Sequence, residues 1–267
     1  KKYARQARLD VVSKLIERMS QEVLLKQERN AWAVALNALA NASTSSVTAS
    51  SVGITSLKAG SHVIPAYNQG RFQLQDLNKL MTLNKRINQS WAGGTTDAAY
   101  SNGITDLYVS PEIKEQIRAF AYQPMNTVQA TSGTSSIPLP DSIRTDVFNS
   151  AGMQEIYGVN IVELNELGVG QKYNTLFDEF DSGNVGPHAT AGQADSFTGS
   201  DDELLVGVDN SKGAFVRAIA QDSDTGDTFT TTPDDQFTQR NERIGFYGSL
   251  EEGRVCIDSR AIVGLTV

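Results

Sequence analysis

The first Gly of the chain is Gly53 and the first Pro is Pro65, so some forty residues from Tyr3 to Asn41 run without a helix breaker. Within that run Leu9, Val12, Ile16, Met19 and Val23 recur at alternating three- and four-residue steps. That spacing draws one apolar stripe along an α-helix. At about 1.5 Å per residue the helix is ~55–60 Å long. A compact chain of ~250 residues has a radius of gyration of only about 18 Å. The spacing therefore predicts either an elongated molecule or a helix lying against neighbouring subunits. Both point to assembly ahead of catalysis.

The 267 residues suit one complex domain or two smaller ones, and the 39 % hydrophobic content suffices for a core. No window approaches the ~20 apolar residues that a membrane span needs, and the opening Lys-Lys-Tyr-Ala-Arg-Gln lacks the apolar stretch of a secretory signal. The net charge of −8 conceals an asymmetry. Residues 1–50 carry eight Lys/Arg against four Asp/Glu, whereas residues 175–235 carry thirteen acids against Lys212 and Arg217. The first stretch suits a polyanion and the second repels one, although a charged helix face is also what a plainly solvated surface looks like.

After the long helix, Ser43-Thr-Ser-Ser-Val-Thr-Ala-Ser-Ser51 reads as a linker or short strand, and residues 61–66 as another extended piece. From Gln73 to Trp91 helical spacing returns, with Leu74, Leu77, Leu80, Met81 and Ile87 on one side. The β-branched and aromatic run Ile104–Ser110 predicts a strand. At its end Ser110 is an N-cap candidate, Pro111 fits the first helical position, and Glu112 complements the helix dipole. Ile113, Ile117 and Phe120 then line a helix to about Ala121, followed by a loop over 122–150. Tyr157–Glu163 reads as a strand, and the Gly- and Asp-rich stretch 168–202 as a surface excursion. Strands at 204–208 and 214–220 flank Asp209-Asn-Ser-Lys-Gly213, which reads as a hairpin turn. Gln236–Tyr247 and Arg254–Val267 give two last extended runs.

Catalytic and metal-binding patterns are weak. His62 and His188 stand far apart, and with Cys256 they make no zinc set or nucleophile–base pair. Cys256 itself reads as a small buried residue in a strand. Gly168-Val-Gly170 follows a strand but lacks the third glycine and the helix of a phosphate cradle. Asp222-Ser-Asp224-Thr-Gly226-Asp227 begins like a calcium loop, but Pro233 stands where a bidentate Glu is needed. Glu251 and Glu252, adjacent on a tight turn, are expected to point apart into solvent. No cofactor and no enzymatic activity are expected.

Four segments carry a family resemblance. Residues 5–39 resemble a spine helix. Leu74-Gln-Asp-Leu-Asn-Lys-Leu80 with Ile104-Thr-Asp-Leu-Tyr-Val-Ser-Pro-Glu-Ile-Lys-Glu-Gln-Ile-Arg118 resembles an axial-domain helix, strand and following helix. Ile156-Tyr-Gly-Val-Asn-Ile-Val-Glu163 resembles the strand that comes next. The stretch from Arg243-Ile-Gly-Phe-Tyr to Ser-Arg-Ala-Ile-Val263 resembles returning peripheral strands and a last axial strand. In this order they are similar to the major capsid protein of tailed bacteriophages, the Hong Kong 97 phage fold shared with encapsulins.

The resemblance implies an α+β phage capsid fold with a long spine helix. Its expected parts are a peripheral domain over 1–66 containing that helix (about 3–41), an axial domain over 67–232 with an acidic loop region at 168–202, and return strands over 233–267, the last joining the axial sheet. It implies a shell of hexamers and pentamers, an icosahedral head enclosing double-stranded DNA, assembled in the host bacterial cytoplasm and located in the virion. Implied partners are other copies of the chain, portal, scaffold and decoration proteins, and packaged DNA held by non-specific contacts, with no membrane. Lys2, Arg5, Arg8, Lys14 and Arg18 are the expected DNA-facing residues, and Trp32 and Arg71 the expected subunit-interface residues. An encapsulin-type compartment is the alternative within the fold; a metal-binding enzyme or receptor-binding module is the alternative outside it. In the family an N-terminal arm and an extended hairpin loop precede the spine helix. Here the helix begins almost at Lys1, so those parts either lie upstream or were removed. No arm contact or Lys–Asn crosslink carries over to these residues.

Overall fold

The computed structural model describes residues 11–45, 47, 60–68, 70–88, 103–119, 155–181, 196–221, 226, 228–234 and 245–267. In chain order its elements are α1 (Val11–Ala40), β1 (Val63–Pro65), α2 (Leu74–Ile87), β2 (Asp106–Val109), α3 (Pro111–Ala119), β3 (Glu155–Ile156), β4 (Val159–Glu163), α4 (Lys172–Phe180), β5 (Leu204–Val208), β6 (Phe215–Ile219), β7 (Thr230–Asp234), β8 (Gly245–Ser249), β9 (Glu252–Cys256) and β10 (Ile262–Thr266). Short 3-10 turns at Asn210–Lys212 and Ser259–Ala261 precede β6 and β10. The architecture is α+β.

The larger of two compact units comprises residues 35–214 and 256–267. Its centre follows from two apolar runs, Leu204-Leu-Val-Gly-Val208 and Ile262-Val-Gly-Leu-Thr266, each buried along its whole length. Strands covered on both faces read as continuous apolar stretches instead of alternating ones. They pair antiparallel, Leu205 opposite Leu265, inside a six-stranded mixed sheet of order β1-β10-β5-β2-β4-β3. β1 joins β10 in parallel and β4 joins β2 in parallel. The absent side chain of Gly264 admits the end of α1: a Cβ there would lie 3.0 Å from Leu39 Cδ2.

Helix α2 packs on β10 with Leu77, Leu80, Leu83 and Ile87 buried, while Leu74 and Met81 flank the core. Its start is held by the Asp76 carboxylate, which accepts from the backbone N–H of Gln73 (3.0 Å) and of Tyr67 (2.9 Å). Helix α3 begins as the sequence predicts: Ser110 Oγ accepts the Ile113 N–H at 3.1 Å, and Ile113 and Ile117 are buried. Phe120 and the loop at 122–150 lie outside the described residues.

Three expectations of local structure in the larger unit need correction here. The strand expected over Tyr157–Glu163 starts at Val159, because Tyr157 (φ 54°) and Gly158 (φ 79°) form a left-handed two-residue turn joining β3 to β4. The described parts of 168–202 are no surface excursion, since they contain α4 with Tyr173, Asn174 and Phe177 buried. The ring of Phe177 meets Phe197 edge-on at 5.1 Å, a partner twenty residues away that local spacing does not reveal. Finally, Asp209–Gly213 is not a hairpin. Both edges of β5 are already taken by β10 and β2, so β6 leaves the sheet and pairs with β9 instead. The turn residues were suited to reversing the chain, but no free edge awaited the returning strand.

The smaller unit comprises residues 1–34 and 215–255. Beside the first part of α1 it holds two-stranded ribbons, β6 with β9 and β7 with β8. The unit boundaries thus fall at 34/35, 214/215 and 255/256, where the sequence places domain limits at 66/67 and 232/233. Among the described residues of 35–66, Leu36, Leu39, Val47, Val63 and Ile64 are buried.

Candidate functional site

The smaller unit presents the most distinctive surface. Along α1 no described residue from Ser13 to Val34 is fully buried; the first that is buried is Leu36. The apolar stripe is used only in part. A Cβ on Gly248 would lie 3.3 Å from Met19 Cε and 2.9 Å from Phe229 Cζ, so that glycine lets the helix and β8 approach. Other large apolar side chains remain in solvent: Leu15 at 59 %, Leu24 at 63 %, Tyr247 at 65 % and Val255 at 54 % exposure, with Ile16, Val216 and Ile219 also exposed. A polar centre stiffens the β6–β9 ribbon. The Glu252 carboxylate accepts from Arg217 at 2.9 Å and from Arg254 at 3.3 Å. Burial pushes its pKa up, but the two guanidinium groups together hold it below the usual carboxylate value. The expectation of two solvated glutamates therefore holds for Glu251 alone.

Lys14 and Arg18 are exposed one turn apart on α1. Lys2, Arg5 and Arg8 lie outside the described residues. Over its described length α1 carries Lys14, Arg18, Lys26 and Arg29 against Glu17, Glu22 and Glu28, four cations against three acids. The basic excess of the first fifty residues therefore sits mainly in residues 1–10. Trp32 is half-buried on α1, on the same side as Arg18.

In the larger unit Arg71 is exposed on a fixed loop. Gln116 clamps that loop from both sides, donating to Gly70 O (3.3 Å) and accepting from Phe72 N–H (2.7 Å), and Asp76 holds its start through Tyr67. Gln116 was not legible as a positioning residue, because its partners stand more than forty residues away.

Buried polar groups of the larger unit close its loops. His62, fully buried, places Nδ1 3.1 Å from both Ser259 O and Ile262 O, and Nε2 2.7 Å from Thr44 Oγ1. The two carbonyls require the proton on Nδ1, which leaves Nε2 to accept from Thr44. Burial lowers the His62 pKa, with the two carbonyls and Asp258 pulling it back up. Ser110 Oγ donates to Glu203 at 2.8 Å, while burial raises the Glu203 pKa. Asn174 accepts from Gly168 N–H (3.2 Å) and donates to Asp202 O (2.8 Å). Lys212 Nζ lies 3.6 Å from Asp209 Oδ2, and burial lowers its pKa.

A helix does follow Gly168-Val-Gly170, contrary to the sequence reading. The amides it would offer an anion are taken, however: Gly168 N–H goes to Asn174 and Gly170 N–H to Gly199 O at 2.8 Å. Cys256 ends β9 half-buried instead of buried, its thiol pKa raised by burial. Most of Asp222–Asp227 lies outside the described residues. Among the described residues no three His, Cys, Asp or Glu side chains cluster as a metal site, and no helix is long and apolar enough to cross a membrane.

No protein-family model matches the sequence, and no curated protein matches it. Among solved structures, the capsid structure of the cyanophage P-SCSP1u aligns with 99 % of this chain and 68 % of its own, at 12 % identity and a TM-score of 0.46. A structure of Mycobacterium phage Ogopogo aligns with 96 % of this chain and 71 % of its own, at 13 % identity and a TM-score of 0.35.

Proposed function

We propose that the chain is a structural shell protein, assembling into the hexamers and pentamers of a tailed-phage head that encloses double-stranded DNA. The observation that carries this reading is the surface of the smaller unit, where Leu15, Leu24, Tyr247 and Val255 are each more than half exposed. Apolar groups left in water on an open helix and ribbon are what neighbouring subunits cover. The chain order supports it as well, because the resemblance in sequence rests on the same succession of long helix, helix–strand–capped helix and returning strands. Trp32 and Arg71 serve this reading as interface anchors, Arg71 on a loop already fixed before docking.

The DNA backbone would be met by the start of the chain, Lys2, Arg5 and Arg8, and by Lys14, through contacts without sequence preference. Arg18 is the weakest of the expected set, since Glu17 and Glu22 beside it offset its charge for a polyanion. Portal, scaffold and decoration proteins are further partners of such a shell, which assembles in the host bacterial cytoplasm and ends in the virion. Electron microscopy of the purified protein tests the reading. Closed polyhedral shells or six-fold rings are expected, with nuclease-protected DNA inside. Shells holding protein cargo and no nucleic acid would favour the encapsulin alternative, and a stable 28.9 kDa monomer at high concentration would overturn both.

A further inference from the structure

We infer that α1 carries a docking face for the α1 of a second copy of this chain, antiparallel and two-fold, with its register centred on position 20. The inference rests on the shell reading in that it names one neighbour which covers the exposed helix.

Leu15, Arg18, Glu22 and Leu25 follow one another at steps of three, four and three residues. At about 100° per residue they fall within about 80° of the helix circumference, roughly 110° around from the Ile16–Met19–Val23 stripe. Leu15 is 59 % exposed, Arg18 and Glu22 are exposed, and Leu25 is partly so. Neither Arg18 nor Glu22 enters an ion pair among the described residues.

The order of these four is self-complementary. Leu15 and Leu25 stand five positions either side of position 20, and Arg18 and Glu22 two either side. A two-fold antiparallel crossing maps each position before the centre onto its counterpart after it in the second copy. It therefore sets Leu15 on Leu25 and Arg18 on Glu22, each twice. A parallel pairing would set Arg18 on Arg18 and Glu22 on Glu22, so the charges select the antiparallel arrangement. Lys14 and Lys26, six either side of the centre, are about 120° apart around the helix and lie on opposite edges of the face. The two-fold thus does not bring them together. The contact gives the exposed Leu15 a partner and assigns Arg18 to protein instead of DNA.

Charge reversal in the full-length protein tests it, read as the association constant by sedimentation velocity. R18E alone and E22R alone should each weaken association on the order of tenfold or more, because each turns two attractive pairs into two repulsive ones. An equimolar mixture of R18E and E22R proteins should recover association, since each variant then meets its complement. An Arg18–Glu22 pair within one helix would give no such recovery. Oxidative trapping fixes the orientation: in a Cys256→Ser background, L15C combined with L25C should crosslink between copies, and L15C alone should not. Wild-type association by either single variant, a mixture no tighter than its components, or a crosslinked L15C homodimer overturns the inference. Shells unaffected by the reversals would remove this contact and leave the shell reading intact. A dimer that responds as described but never closes into shells would do the reverse, and a monomeric wild type would end both.

Discussion

The two units of the chain spend their apolar residues differently. In the larger one, β5 and β10 are buried along their whole length, and two of the polar side chains enclosed with them are held by several partners: His62 at Thr44, Ser259 and Ile262, and Asn174 at Gly168 and Asp202. In the smaller one, four of the five residues of β6 are exposed, and α1 has no fully buried residue from Ser13 to Val34. Two-stranded ribbons are marginal by themselves. The larger unit thus encloses a continuous core while leaving Ile257, Tyr67 and Tyr157 at its surface, and the smaller leaves a larger share of its apolar groups for a neighbour to cover.

The largest effect that can break this contrast lies in the sheet. Leu205→Ala removes a side chain that is fully buried opposite Leu265 and should cost about 2–5 kcal/mol of unfolding free energy. Val255→Ala, at a residue 54 % exposed in the smaller unit, should change it by no more than ~0.5 kcal/mol while weakening self-association. Urea unfolding of both variants under non-associating conditions decides the matter. Comparable losses would mean that the smaller unit has a core of its own.

The same contrast governs how much of the molecule was legible in its sequence. Where a segment's burial follows from its own spacing, the reading succeeds. Leu77, Leu80 and Ile87 mark α2, Ser110-Pro111-Glu112 marks the start of α3, and the unbroken run at 204–208 marks β5. Where burial depends on distant residues, it fails. Helix α4 lies in a Gly- and Asp-rich stretch, and only Phe197 and the Asp202 carbonyl explain why Phe177 and Asn174 turn inward. The Asp209–Gly213 turn has hairpin chemistry, yet strand pairing is decided by β10, some fifty residues on. The candidate surface was half legible: the charges at Lys14 and Arg18 and the place of Trp32 on the helix can be read from spacing. Which apolar residues stay exposed depends on what the rest of the chain covers.

A middle-sized effect tests one satisfied polar group inside the larger unit. Asn174→Ala leaves the Gly168 N–H and the Asp202 carbonyl without their side-chain partner in a buried place. It should lower stability by about 1–3 kcal/mol, the cost of stranding buried polar groups. Hydrogen exchange at Gly168 should speed up by a corresponding factor, while exchange across β6 and β9 stays at the wild-type rate. Faster exchange in the ribbon too would show the two units opening as one.

The smallest effect separates the units by pH. Burial holds the folded His62 below its ordinary pKa of 6.5, so the unfolded chain takes up this proton first as pH falls. Stability from His62 is therefore complete above pH 6.5 and declines as pH drops toward its folded pKa, by at most ~1.4 kcal/mol per pH unit. Glu252 in the smaller unit behaves in the same direction but later. Its folded pKa lies below 4.5, so its ion pairs persist through mild acid and fail only under stronger acid. Asp76 and Glu203 oppose both, because burial raises their folded pKa and the folded state gains protons first. Comparing the native protein with His62→Asn cancels those carboxylates. The asparagine amide can still donate to the Ser259 and Ile262 carbonyls, yet it does not titrate. Between about pH 7.5 and 5.5 the urea midpoint of the native protein should fall relative to that of the variant. Parallel profiles would mean that the imidazole is already accessible to water, and the larger unit would lose its standing as the closed half of the molecule.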